Sequence, residues 1–186
     1  EIWWFYPSAS SEELDKYVVF NYLEQVWFYG SLPRTFWIDR GTEEYPIAAS
    51  TDGYLYNHDF GLDDGSTNPA SPISSFIESS SAGIGDGDQF LFIRRMIPDI
   101  TFDGSSEPNP SVDFTLAVKR FPGSSNSKTT DSPIQQSATV PVEQFTEQAF
   151  VRLRGRSFSL KISSDETGTA WRLGTPRVDV RQDGKR

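Results

Sequence analysis

Three arginines alternate with other residues in Val151-Arg152-Leu153-Arg154-Gly155-Arg156. Side chains of an extended strand point to opposite faces with a period of two. Arg152, Arg154 and Arg156 therefore project from one face of a strand, where planar guanidinium forks can pair with carboxylates or phosphates. Arg94-Arg95 has the same chemistry, and Arg172 and Arg177 extend the basic block toward the end of the chain. The chain is acidic overall, with a net charge of −9. The nearest anionic partner is thus an identical neighbour, so subunit contact is expected of Arg152, Arg154, Arg156, Arg172 and Arg177 in preference to nucleic-acid binding.

Other candidate chemistries are weaker. Aspartates cluster at Asp59–Asp64 and at Asp86-Gly87-Asp88. Loop carboxylates suit Ca²⁺, but neither spacing matches the EF-hand loop, and Asp-Gly pairs are turn formers first. His58-Asp59-Phe60-Gly61 contains an Asp-Phe-Gly without the other kinase motifs. Gly83–Asp88 is glycine-rich, but no helix follows and its aspartates would repel a phosphate. Trp3, Trp4, Trp27, Trp37 and Tyr29 could form sugar platforms beside a carboxylate pair; the competing reading is that they pack between strands. With no cysteine and a single histidine, disulfides, thiolate sites and cysteine catalysis are excluded, and common His-dependent triads and zinc sites lose their basis. No catalytic, cofactor-binding or metal-binding residue is assigned.

The elements that must carry these residues are strands. Of 186 residues, 36% are hydrophobic and 14% aromatic, a β-rich balance. No apolar run is long enough for a membrane-spanning helix. The chain begins Glu-Ile-Trp-Trp, inside an apolar run, and is expected to be a fragment of a longer protein. Charge is uneven. Residues 1–65 hold 12 acidic and 3 basic side chains (net −9), 66–147 hold 10 and 5 (net −5), and 148–186 hold 4 and 9 (net +5).

In the first region, 2–6, 17–22, 26–29, 36–39, 45–50 and 54–59 read as short strands. Leu23-Glu24-Gln25 is a turn, and Thr51-Asp52-Gly53 is a tight hairpin. Two aromatic runs near residues 2 and 54 form a near-repeat of the size of a propeller blade, so 1–65 is expected to hold one to one and a half blades. Trp4 and Trp27 should then be buried against neighbouring β structure. The stretch 61–72 is rich in Gly, Asp, Ser, Asn and Pro and reads as a domain boundary, with 66–72 as the linker. In 73–186, the segments 73–79, 89–97, 112–120, 148–154, 157–163 and 170–180 read as longer strands of a β-sandwich-like platform. A hairpin is expected to turn near Gly155-Arg156, with Phe158, Leu160 and Ile162 facing the core and Lys161 facing out. Residues 142–148 are the one place for a short helix, and 121–133 read as a mobile loop.

Several stretches resemble large tail proteins of short-tailed phages and prophages. They are Tyr17-Val-Val-Phe-Asn-Tyr-Leu-Glu-Gln-Val-Trp-Phe-Tyr-Gly-Ser-Leu with Arg34-Thr-Phe-Trp37, Ile73-Ser-Ser-Phe-Ile-Glu-Ser-Ser and Gly85-Asp-Gly-Asp-Gln-Phe-Leu-Phe-Ile-Arg-Arg. Pro141-Val-Glu-Gln-Phe-Thr and Trp171-Arg-Leu-Gly-Thr-Pro-Arg-Val-Asp-Val-Arg complete the set. The family is that of tail nozzle or hub proteins, also called DNA-stabilisation proteins. The resemblance implies an all-β propeller plus platform, assembled as a ring, often of six copies. Its expected partners are identical subunits, the portal-proximal adaptor and distal tail parts, with double-stranded DNA passing through the lumen without specific binding. It implies a structural role in the virion, assembled in the host cytoplasm, with no enzyme activity and no cofactor. An acidic wall would hold DNA off the channel surface. The competing expectation is a sugar-binding or glycoside-cleaving propeller.

Overall fold

A computed structural model describes residues 1–84, 88–121 and 135–185, the side chain of Gln135 excepted. The protein is all-β: the described residues form strands and turns, with no helix among them. The chain divides into two compact units, Glu1–Gly61 and Leu62–Arg186.

The first unit holds two three-stranded antiparallel meanders. Strands β1 (Ile2–Tyr6), β2 (Lys16–Asn21) and β3 (Val26–Ser31) pair in chain order, with Trp4 opposite Val18 and Phe20 opposite Trp27. Ser8 closes the β1–β2 loop by donating its backbone N–H (2.6 Å) and its hydroxyl (2.7 Å) to the Asp15 carboxylate. The β2–β3 turn forms because the Asn21 side-chain oxygen accepts from the backbone N–H groups of Leu23 (3.1 Å) and Glu24 (3.2 Å), an Asx turn. The second meander is β4 (Phe36–Ile38), β5 (Ile47–Ala49) and β6 (Leu55–Asn57). Its β5–β6 hairpin turns at Asp52-Gly53 as expected. Gly53 takes φ +87 there, a conformation that costs glycine little.

The short antiparallel strands match the sequence reading, but the expected burial of Trp4 and Trp27 is wrong. Trp4 is 44% and Trp27 61% exposed. Strand alternation explains it. Trp3, Phe5, Tyr17 and Val19 share one face of the first meander, and Trp37 of the second meander stacks on Trp3 (5.6 Å) and lies against Phe5 (6.0 Å). Val19 on that face is buried. Trp4, Phe20 and Trp27 lie on the opposite face, where they stack on one another: Phe20–Trp27 at 4.5 Å and Trp4–Trp27 at 6.0 Å.

The second unit begins with a small ribbon, β7 (Asp63–Asp64) with β8 (Ser71–Pro72). The residues expected to be a linker, 66–72, thus lie inside this unit, and the division falls at Gly61. Then come β9 (Ser75–Glu78), β10 (Ala82–Gly83), β11 (Leu91–Ile97), β12 (Ile100–Thr101), β13 (Ser111–Lys119), β14 (Gln135–Glu143), β15 (Ala149–Gly155), β16 (Ser157–Ser164), β17 (Arg172–Leu173) and β18 (Arg177–Gln182). One sheet runs β14-β13-β16, with β9 and β10 pairing along the far edge of β16; another runs β15-β11-β18. Both feed one hydrophobic cluster that includes Leu91, Ile93, Phe114, Leu116, Val151, Leu153 and Ile162.

Four expectations need correction here. Strands β15 and β16 do not form a hairpin. β15 pairs with β11 and β16 with β13, so the chain passes from one sheet to the other at Gly155. The passage is tight: a Cβ on Gly155 would sit 2.7 Å from the Val118 Cβ and 2.8 Å from the Lys119 carbonyl oxygen. The side-chain register still holds. Phe158, Leu160 and Ile162 lie opposite Val118, Leu116 and Phe114, while the Lys161 ammonium points the other way, 4.6 Å from the centre of the Phe76 ring. Residues 142–148 form no helix: Glu143 and Thr146 close a turn through Thr146 N–H to the Glu143 carbonyl (3.1 Å) and Glu143 N–H to the Thr146 hydroxyl (3.0 Å). Phe145 there is 87% exposed. The segment 170–180 is two strands, β17 and β18, because Gly174-Thr175-Pro176 interrupts it. Finally, β14 was not anticipated. It is polar and contains Pro141, which an edge strand tolerates because its outer N–H groups need no partner. The loop expected over 121–133 lies, apart from Phe121, outside the described residues.

Candidate interaction surfaces

The sheet β15-β11-β18 turns Leu91, Ile93, Met96, Val151 and Leu153 inward. Alternation sends their neighbours outward: Phe150, Arg152 and Arg154 on β15, and Arg177, Asp179 and Arg181 on β18. On β11 the register shifts between Ile93 and Arg95. With Ile93 and Met96 both in the core, this irregularity leaves Arg94 and Arg95 on the outer side together, a common effect of bulges. The outer face therefore gathers six arginines against Asp179 and, just beyond β18, Asp183. Phe150 adds an apolar patch and is 69% exposed.

The arginines divide by what they touch. Arg154 pairs with the Asp183 carboxylate, donates to the Asp183 carbonyl (3.0 Å) and lies over the Phe90 ring (4.2 Å). Arg156 lies over the same ring at 4.5 Å and donates to the Asp88 carbonyl. Together they hold residues 183–185 beside Phe90, whose backbone also bonds that segment: Phe90 N–H to the Gly184 carbonyl (2.7 Å) and Asp183 N–H to the Phe90 carbonyl (2.8 Å). Arg95 (3.4 Å) and Arg181 (3.7 Å) flank Asp179. The side chains of Arg94, Arg152 and Arg177 make no hydrogen bond or ion pair among the described residues.

Of the five arginines singled out in the sequence, Arg152, Arg154 and Arg177 thus share one sheet. Arg156 sits at the corner after it, and Arg172 lies apart on the β12–β17 ribbon opposite Thr101. Arg181, Phe92 and Phe150 complete the face and were missed. The signal for Arg181 was the period-two alternation of residues 177–181, readable only once β18 is separated from β17, and that for Phe92 and Phe150 was the alternation of β11 and β15.

The second exposed surface is aromatic and lies on the first unit. Beside Trp4, Phe20 and Trp27, Tyr29 points to the same open face of the first meander, opposite Val18. Two carboxylates stabilise this unit's turns. The Ser8 hydroxyl and then its N–H hold Asp15 below the ordinary aspartate value of 3.8. Asp52 is lowered first by the Tyr56 hydroxyl (2.6 Å) and next by the Tyr54 N–H (3.0 Å).

The aspartate clusters have structural roles. Asp59 lies 3.7 Å from Arg40, Asp63 accepts from the Gly168 N–H (2.7 Å), and Asp64 accepts from the Ser66 N–H (2.9 Å). Asp88 pairs with Lys185 (3.3 Å), and Asp86 lies outside the described residues. Among the described residues, no group of three or more acidic or histidine side chains is placed to hold a metal ion. No protein-family model matches the chain, and no curated protein is significantly similar to it.

Proposed function

We propose that the chain is a structural component of a phage tail, part of a nozzle or hub ring around the DNA exit channel that joins the portal-proximal adaptor to distal tail parts. In this reading the first unit is part of a β-propeller and the second a β-sandwich-like platform. The observation that carries it is the presence of two exposed surfaces of interface composition, an aromatic face on the first unit and an arginine face on the second. Aromatic residues and arginine are the residues enriched where proteins meet, and exposed apolar patches mark interaction sites. The resemblance of residues 17–37, 73–80, 85–95, 141–146 and 171–181 to tail nozzle proteins gives the class of assembly. The reading assigns no catalytic residue and no cofactor. Imaging of the native assembly by electron microscopy tests it: rings of cyclic symmetry with an open lumen are expected, and a population of monomers alone contradicts it.

A second reading is a sugar-binding or glycoside-cleaving propeller, favoured by the exposure of Trp4, Trp27 and Tyr29. A sugar platform needs an open ring face, whereas Trp27 already stacks on Phe20 and Trp4. Titration with oligosaccharides while following tryptophan emission decides it; a saturable change supports the sugar reading.

A further inference from the structure

We infer that the arginine face of β15-β11-β18 docks on the acidic first unit, residues 1–61, of a second copy of this chain, in a head-to-tail contact. The inference rests on the ring reading and names the two surfaces that would make the ring.

The first premise is the state of the face. Its aspartates already hold Arg95, Arg154 and Arg181, while Arg94, Arg152 and Arg177 have no side-chain partner among the described residues. They stand on three neighbouring strands of one sheet, so the sheet fixes their backbone spacing and their guanidinium groups stay available as an array of donors. Such an array recognises carboxylates bidentately.

The second premise is charge. Residues 1–61 carry ten acidic and three basic side chains, a net of −7, whereas 62–186 carry sixteen and fourteen, a net of −2. The anionic excess of the chain is thus concentrated in the unit that does not contain the face. Complementary potentials select orientation and register between partners. Because the two surfaces differ, the contact is heterologous, and heterologous contacts close into rings when the rotation allows. Exposed ion pairs alone bind weakly, so Phe150 on the one side and the open aromatic face on the other supply the apolar area.

The test uses the full chain and two neutralised variants. One is R94Q/R152Q/R177Q. The other is E12Q/E13Q/E43Q/E44Q, four exposed glutamates of the first unit. Sedimentation at low and high salt is expected to show each variant self-associating about tenfold more weakly than wild type at low salt, with the difference shrinking as salt screens the charges. Mixing the two variants pairs the intact arginine face of one with the intact acidic unit of the other. Small heteromers are then expected where each variant alone stays dissociated. Circular dichroism of each variant must match wild type; for a variant that fails this, the double variants R94Q/R152Q and E43Q/E44Q replace it.

The outcomes separate two failures. A wild-type chain that stays monomeric at every concentration overturns the ring reading and this pairing with it. A wild-type ring that both variants form equally well overturns the pairing alone. So does loss of assembly in the arginine variant with none in the glutamate variant, since the face would then meet some other surface. Binding of a mixed-sequence DNA duplex by wild type, lost in the arginine variant while assembly is unchanged, would also overturn it.

Discussion

The two units use the same kind of strand and cover it differently. In the second, two sheets turn their apolar residues toward each other, and Leu91, Ile93, Phe114, Leu116 and Val118 are fully buried. In the first, the buried apolar residues are Val19 and Ala48, on the central strands β2 and β5, and Pro46 just before β5, while the large rings of β1 and β3 remain accessible. A three-stranded meander has two faces and can lay only one on its neighbour. The difference shows that composition alone does not make a core: the first unit is richer in aromatic residues, yet its rings stack on one another and stay largely exposed. A unit built this way has apolar surface available for a partner, whereas the second unit offers its charged outer sheet face.

The largest effect that sharpens this contrast is a core truncation. Phe114→Ala should cost the second unit about 3–5 kcal/mol in urea unfolding. Trp27→Ala, which removes a ring stacked on an open face, should cost the first unit only about 0.5–1.5 kcal/mol. Equal losses would mean that the first unit has a core of its own. Gly155→Ala comes next. Its new methyl would meet Val118 and the Lys119 carbonyl at the passage between sheets, and overpacking of this kind costs about 1–3 kcal/mol; an unchanged unfolding midpoint would show that the corner can open.

Acid should act on the turns of the first unit. Asp15 and Asp52 are lowered in the folded chain, so their contribution is complete above the ordinary value of 3.8 and is lost as pH falls through the folded values. The thermal transition of the first unit should therefore weaken below about pH 4, and Asp52→Asn should flatten that dependence. A pH profile identical in the variant would remove Asp52 from the account. The smallest effect is expected from Asp183→Asn. The pair with Arg154 is half exposed and contributes about 0–1 kcal/mol, although hydrogen exchange at the Phe90 and residue-183 amides, which bond across this contact, should quicken as residues 183–185 loosen.

How far the sequence carried follows from particular residues. Asp52-Gly53 and the Phe158-Leu160-Ile162 alternation announced a hairpin and a buried register, because turn chemistry and a period of two are local. The partner of a strand is not local. Gly155-Arg156 looks like a hairpin turn from sequence, and only the close approach of Val118 and Lys119 reveals a crossing between sheets. Pro141 hid β14 because a proline argues against a strand unless the strand lies at an edge. The exposure of Trp27 was equally illegible, since a ring on a strand is buried or not according to what lies over it. The same limit applies to the arginine face. Arg152 and Arg154 were visible as an alternating pair, but their union with Arg94, Arg177 and Arg181 depends on β11 standing between β15 and β18.

The most direct test of the account asks whether assembly covers the open aromatic face. Four of the five tryptophans lie in the first unit, and the fifth, Trp171, bonds Ser75 in the second (3.2 Å). In a Trp171→Phe background, acrylamide quenching of tryptophan emission then reports on the first unit alone. It should be strong in the dissociated chain and clearly weaker in the assembled ring, with the emission maximum shifted to shorter wavelength. Quenching that is the same in both states would contradict the claim that these surfaces exist to meet other subunits.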